Sequence, residues 1–100
     1  MPRMNTLPVK MMEIMKECTE LGMRKNNDYS GARNIDNISL PGIEGISVRL
    51  LDKVCRLHSL TQVESQVKDE SIEDTLKDII NYAGYGLLLK RGKWGDEEQK

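Results

Sequence analysis

The chain has no phenylalanine; Tyr29, Tyr82, Tyr85 and Trp94 are the entire aromatic set of its 100 residues. Its two cysteines, Cys18 and Cys55, are too few for the disulfide framework of a small secreted domain. Both fall in apolar-periodic segments and are expected to be buried thiols in a reducing cytoplasm. The single histidine, His58, has no Cys or His partner at ligand spacing, which argues against a zinc site. No base stands near Cys55 to make it a nucleophile. With 15 basic and 16 acidic residues the formal net charge is -1, so no global positive field draws the chain to polymeric nucleic acid or an anionic membrane. No run approaches the ~18 apolar residues of a membrane span, and Met1-Pro2-Arg3-Met4-Asn5 lacks the apolar core of a signal peptide. A soluble, cytoplasmic protein is expected. Gly-rich phosphate loops, serine nucleophile elbows and dinucleotide fingerprints are also missing.

Helical periodicity is what remains. Residues 1–100 read as one domain, of a size that buries only about 60 to 65% of its unfolded surface, so a partner subunit is expected. Asn5 or Thr6 can cap a first helix that Pro8 opens and that Val9, Met11, Met12, Met15, Cys18 and Gly22 carry to about Lys25. Residues 26–45, rich in Asn and Gly, read as a long polar loop of functional weight. Ile46, Leu50, Val54 and Leu57, with Leu51 and Cys55 widening the stripe, define a second helix over 46–60. Ser71-Ile72-Glu73-Asp74 matches a capping box and begins a third helix, 71–91, that Gly92 stops. The fold class is therefore all-α, a three-helix core (about 8–25, 46–60 and 71–91) with an ordered span of about 8–91. Residues 93–100 are expected to fray, with Trp94 able to dock. Leu87, Leu88 and Leu89 cannot all face one three-helix core, which predicts a helical dimer or higher oligomer.

Two charged faces carry the candidate chemistry. Asp74, Asp78 and Asn81 stand one above another on the third helix, with near-neighbours roughly 6 Å apart along the axis. Oxygen ligands at that spacing can converge on a hard cation, and magnesium would relieve the mutual repulsion of clustered carboxylates. Glu70, Glu73 and Asp74 are also explained by the helix dipole, whereas Asp78 and Asn81 lie inside the helix, where both are poor formers. On the second helix Arg49, Asp52, Lys53 and Arg56 share one face. Two readings of that face stay open. It is either a solvated surface stitched by Arg49/Asp52 and Asp52/Arg56 pairs, or the cationic half of a metal-and-phosphate pocket facing the acids. Tyr82 and Tyr85 are expected to pack with hydrogen-bonded hydroxyls, while Tyr29 in the loop could cover a base.

Three segments together resemble a known family: Lys25-Asn26-Asn27-Asp28-Tyr29, Gly45 to Leu57, and Asp69 to Ala83. From about Met11 to Leu89 the chain looks like the first nucleotide-modification-associated domain family of bacteriophages and prophages. That family is similar in layout to the all-α (MazG-like) nucleoside triphosphate pyrophosphohydrolases, whose acidic pairs bind magnesium and release pyrophosphate. The resemblance implies substrate contacts at Lys25, Asp28, Tyr29, Arg49, Lys53, Arg56 and Asn81. It implies metal ligands among Asp52, Glu70, Asp74 and Asp78, with Asp52, Asp74 and Asp78 catalytic. The pyrophosphohydrolases carry a Glu-x-x-Glu pair on an earlier helix, and here the second helix offers only Asp52 between three cations. Three functions follow: a magnesium-dependent nucleotide binder able to hydrolyse a nucleoside triphosphate, a non-catalytic protein sequestering a nucleotide or nucleotide-derived signal in the host cytoplasm, and a helical oligomerisation module.

Overall fold

The computed structural model describes residues 4–30, 37–64 and 68–94, and within these the protein is three helices with no strand. A single 3-10 turn, Met4–Thr6, leads into α1 (Leu7–Ser30); α2 spans Gly42–Leu60 and α3 spans Lys68–Lys90. The expected all-α three-helix architecture is what forms. Pro8 sits in the first turn of α1, where its missing N–H leaves no bond unmade.

The boundaries differ from the sequence expectation in three places. α1 continues past Lys25 through Asn26-Asn27-Asp28-Tyr29-Ser30, because weak helix formers cost only a few tenths of a kcal/mol each. α2 begins at Gly42 rather than Ile46. Gly42 takes a left-handed φ of 67° at the helix start, and Gly45 leaves room for the Pro41 ring, whose Cγ would lie 2.8 Å from any added Cβ. These glycines build the helix entry instead of extending the loop. Finally, α3 starts at Lys68, so Ser71 is not an N-cap but an interior residue whose carbonyl accepts the Thr75 hydroxyl at 2.8 Å. The α2 end closes as turn chemistry requires, with the Thr61 N–H and hydroxyl both donating to the His58 carbonyl.

α3 is the central helix. α2 lies antiparallel along it, with Ile46 against Gly86, Arg49 against Tyr82 and Lys53 against Asp78. Gly86 permits that approach, since a Cβ there would sit 3.3 Å from the Ile46 methyl. α1 crosses the opposite flank of α3 at Gly22, where an added Cβ would collide with the Tyr85 hydroxyl and lie 3.1 Å from Asn81 Nδ2. Asn81 Nδ2 donates to the Cys18 carbonyl at 2.8 Å and pins the crossing.

Among the described residues the buried apolar set is Cys18, Ile38 and Ile46, joined by Thr75 and Asp78. Ile38 belongs to the stretch read as polar loop, yet it plugs the core and holds the 37–41 turn down. The methionine-rich face of α1 is not core. Val9, Met11, Met12 and Met15 are exposed, whereas Glu17, Cys18, Gly22 and Lys25 further along α1 contact α3. On α2 the stripe splits: Ile46 is buried, Leu50 and Leu57 are partly covered, and Leu51, Val54 and Cys55 face outward. The expected burial of both cysteines therefore holds for Cys18 and fails for Cys55. Trp94 does dock, its ring edge-on to Tyr85 with centroids 5.1 Å apart.

Candidate nucleotide site

The charged faces of α2 and α3 meet, and α1 adds a third. Asp78 is only 8% exposed, and its carboxylate is gripped from both sides. Lys25 Nζ of α1 lies 2.7 Å from Oδ1 and Lys53 Nζ of α2 lies 3.2 Å from Oδ2. Lys25 also reaches Asp74, one turn earlier, at 3.7 Å. A carboxylate this buried is tolerable only when paired, and here it is paired twice.

Arg49 sits one turn before Lys53. Its Nη1 donates to the Tyr82 hydroxyl at 3.2 Å, its Nη2 donates to the Asn37 carbonyl at 3.0 Å, and its guanidinium carbon is 5.5 Å from the Tyr82 ring centroid. The aromatic cluster continues edge-on from Tyr82 to Tyr85, with centroids 6.0 Å apart. Tyr82 thus keeps the hydrogen-bonded hydroxyl expected of it. Lys25, Asn37, Arg49, Asp78 and Tyr82 surround a pocket of about 30 Å³, room for roughly one water.

Beside it opens a groove of about 620 Å³ lined by Leu21, Arg56, Glu70, Glu73, Asp74 and Lys77. Asp74 belongs to both regions, since it walls the groove and pairs with Lys25. With α3 beginning at Lys68, Glu70 lies in the first turn and Asp74 beyond it, so the dipole accounts for Glu70 better than for Asp74.

The sequence-derived residues are thus partly gathered. Lys25, Lys53, Asp74 and Asp78 form one ion-pair cluster; Arg49 adjoins it, and Arg56 and Glu70 line the groove. Asp52 is exposed and makes no ion pair or hydrogen bond among the described residues, so the Arg49/Asp52 and Asp52/Arg56 pairs do not form. Asn81 joins α1 to α3 and also lines the small pocket. The side chains of Asp28 and Tyr29 lie outside the described residues. Magnesium favours oxygen donors of the kind present, but among the described residues no three His, Cys, Asp or Glu side chains come together to hold a metal ion. The lysines occupy both Asp78 oxygens, so the side chains as arranged do not fit the ion.

A family model described as nucleotide modification associated domain 1 matches residues 25–89. The chain belongs to that family. No curated protein and no solved structure matches the chain. The matched stretch of the nucleotide modification associated domain opens on Lys25 itself and takes in α2 and nearly all of α3, so every charged residue of the cluster lies within it. The first half of α1, with its exposed methionines, lies before it. No helix among the described residues is long and apolar enough to cross a membrane.

Sequence reasoning missed four contributors. Lys77 lines the groove and pairs with Glu17 of α1 at 3.6 Å, and its i+3 spacing from Asp74 is a signal that could have found it. Leu21 follows Cys18 at helical spacing and belongs to the same face. The Asn37 carbonyl and Ile38 carry no periodic signal at all. Burial raises the Cys18 thiol pKa above its ordinary value, an effect the nearby Lys77 charge opposes, so this thiol stays protonated at neutral pH.

Proposed function

We propose that this protein binds a nucleotide through its phosphates. The observation that carries the proposal is the convergence of Lys25 and Lys53 on one buried carboxylate, with Arg49 lining the same small pocket and Arg56 lining a groove beside it. Cations fixed by packing lose little freedom when they receive a polyphosphate, which favours binding over surface decoration. Membership of a nucleotide-associated family supports the same class of ligand. Base and sugar contacts are assigned to the 26–45 stretch, with Tyr29 as a stacking face and Asp28 as a polar partner, as the family resemblance implies. The setting that fits is a phage-type protein, akin to the MazG-like proteins in layout, that sequesters a nucleotide or nucleotide-derived signal in the host cytoplasm.

Hydrolysis is a second function, favoured by the three carboxylates Glu70, Glu73 and Asp74 along the groove. Those groove acids are the candidates to act on a nucleoside triphosphate, since lysines hold both Asp78 oxygens and Asp52 stands exposed. The reaction would add water at the α-phosphorus and release pyrophosphate. The pairing of Asp78 with lysines favours retention over turnover.

One assay separates the two. Purified protein is incubated with canonical and modified nucleoside triphosphates plus magnesium, and bound and free species are identified by mass spectrometry. Ligand retained stoichiometrically and recovered intact supports binding. Pyrophosphate release that is lost in Asp74→Asn supports hydrolysis; Asp74 is half exposed, so its folding role is slight. Neither retention nor turnover would sink both.

A further inference from the structure

We propose that Lys25 and Lys53, held by Asp78, form a phosphate clamp that works without a divalent metal ion, so that the nucleotide is captured as its free polyphosphate anion. This deepens the nucleotide-binding function above and rests on it.

Clustered carboxylates ordinarily create the demand for a metal, because each repels the next until a cation sits between them. Here the ammonium groups already meet that demand. Both oxygens of Asp78 are taken by lysines, and the Asp74 oxygen nearest them is shared with Lys25. A magnesium ion would have to displace lysines brought from two different helices.

Lys25 and Lys53 match the charge of Asp74 and Asp78, and Arg49, which lines the same small pocket but is bonded to Tyr82 and Asn37 rather than to an acid, adds one further positive charge beside them. Two ammonium groups held on the two oxygens of one carboxylate repel each other, and an incoming phosphate oxygen between them relieves that repulsion. Each ammonium has three donor protons, and Lys53 directs one at Asp78. The Lys25 and Lys53 side chains are 29% and 26% exposed, so both can be reached from solvent while their ammonium groups are held on Asp78. Arg49 is already committed to Tyr82 and Asn37, so it acts as a positioning residue that sets the local charge. Arg56, about one helical turn beyond Lys53, lines the groove and offers a further cation there.

The test is calorimetric titration of the full chain with ATP and with inorganic tripolyphosphate, each in EDTA and in excess magnesium. ATP is expected to bind in EDTA within about three-fold of its affinity in magnesium. Lys53→Gln and Lys25→Gln should each weaken it at least ten-fold, with Lys53→Arg restoring most of the loss. Should a glutamine variant fail to fold by circular dichroism, the unmutated protein gives a second readout. ATP in EDTA should then shield Lys25 and Lys53 from acetylation, measured by mass spectrometry, while leaving Lys90 reactive. Binding seen only with magnesium overturns the clamp and leaves nucleotide binding standing. Binding in EDTA that neither substitution weakens, or that shields neither lysine, overturns the clamp as well. Absence of binding under both conditions overturns the clamp and the nucleotide function together.

Discussion

Lys53 Nζ lies 3.2 Å from Asp78 Oδ2, and this contact joins α2 to α3 at a buried carboxylate of the central helix. Removing Asp78 leaves Lys53 without its acid and Lys25 with only the longer contact to the half-exposed Asp74. Asp78→Ala should therefore destabilise the fold by about 3 kcal/mol, in the range for breaking a buried pair from one side. Losing either lysine alone should cost less, because the other still pairs the acid. Urea unfolding of the three single variants and the Asp78→Ala/Lys53→Met double variant checks this. The double variant should be less destabilised than the sum of its parts, and strict additivity would show that the pair is not coupled.

Gly22 and Gly84 make opposite predictions although both lie inside helices. Gly22 faces the Tyr85 hydroxyl and the Asn81 amide, and Asn81 is held to the Cys18 carbonyl. Gly22→Ala must push these side chains aside, so crowding of about 1 to 3 kcal/mol outweighs the ~1 kcal/mol gained from helix propensity. A Cβ at Gly84 meets nothing within 4 Å, and Gly84→Ala should stabilise by about 0.5 to 1 kcal/mol. Thermal melts of the two variants should move in opposite directions. A rise for Gly22→Ala would mean that Tyr85 swings clear at no cost.

Helix type and helix pairing are legible in the sequence because they rest on periodicity. Ile46, Leu50 and Leu57 on one helix and Ile79 and Ile80 on the other predict α2 and α3 directly, and the facing of Lys53 with Asp78 follows from them. What is not legible depends on single contacts. Asp78 and Asn81 stand out as poor helix formers far from either end, a reason to suspect a ligand. The structure gives each a structural partner as well, the lysine pair for Asp78 and the Cys18 carbonyl for Asn81. No spacing rule reveals that Ile38 is core, or that Pro41 and Gly45 fit together to start α2 early. The convergence of Lys25 on Asp78 joins residues 53 positions apart and emerges only once α1 is docked.

The two thiols should behave differently with alkylating reagents. Cys18 is 1% exposed and burial raises its pKa, whereas Cys55 is exposed. Under native conditions mass spectrometry should find Cys18 unmodified by iodoacetamide, with modification appearing only in denaturant. The raised value also fixes a sign. A proton held more tightly in the folded state stabilises it below the ordinary thiol pKa, and that contribution is lost as pH rises through the interval up to the folded value. Stability should fall on the alkaline side by an amount that Cys18→Ala removes. A Cys18 that reacts as fast as Cys55 would contradict its burial.

A second copy of the chain is the expected cover for the outward apolar faces. The exposed apolar residues are grouped rather than scattered: Val48, Leu51 and Val54 lie along α2, and Val9, Met12 and Met15 along the first half of α1. Among the described residues only Cys18, Ile38 and Ile46 are buried apolar side chains, and pairing would bury more. Sedimentation should therefore report a dimer or larger species at micromolar concentration. Leu51→Glu, at a position 66% exposed, should shift it toward monomer and lower the melting temperature through lost association. In the unmutated protein, Cys55, one turn from Leu51 on the same helix, should become less reactive as concentration rises. A concentration-independent monomer whose stability Leu51→Glu leaves unchanged would show that these faces are solvent-exposed by design.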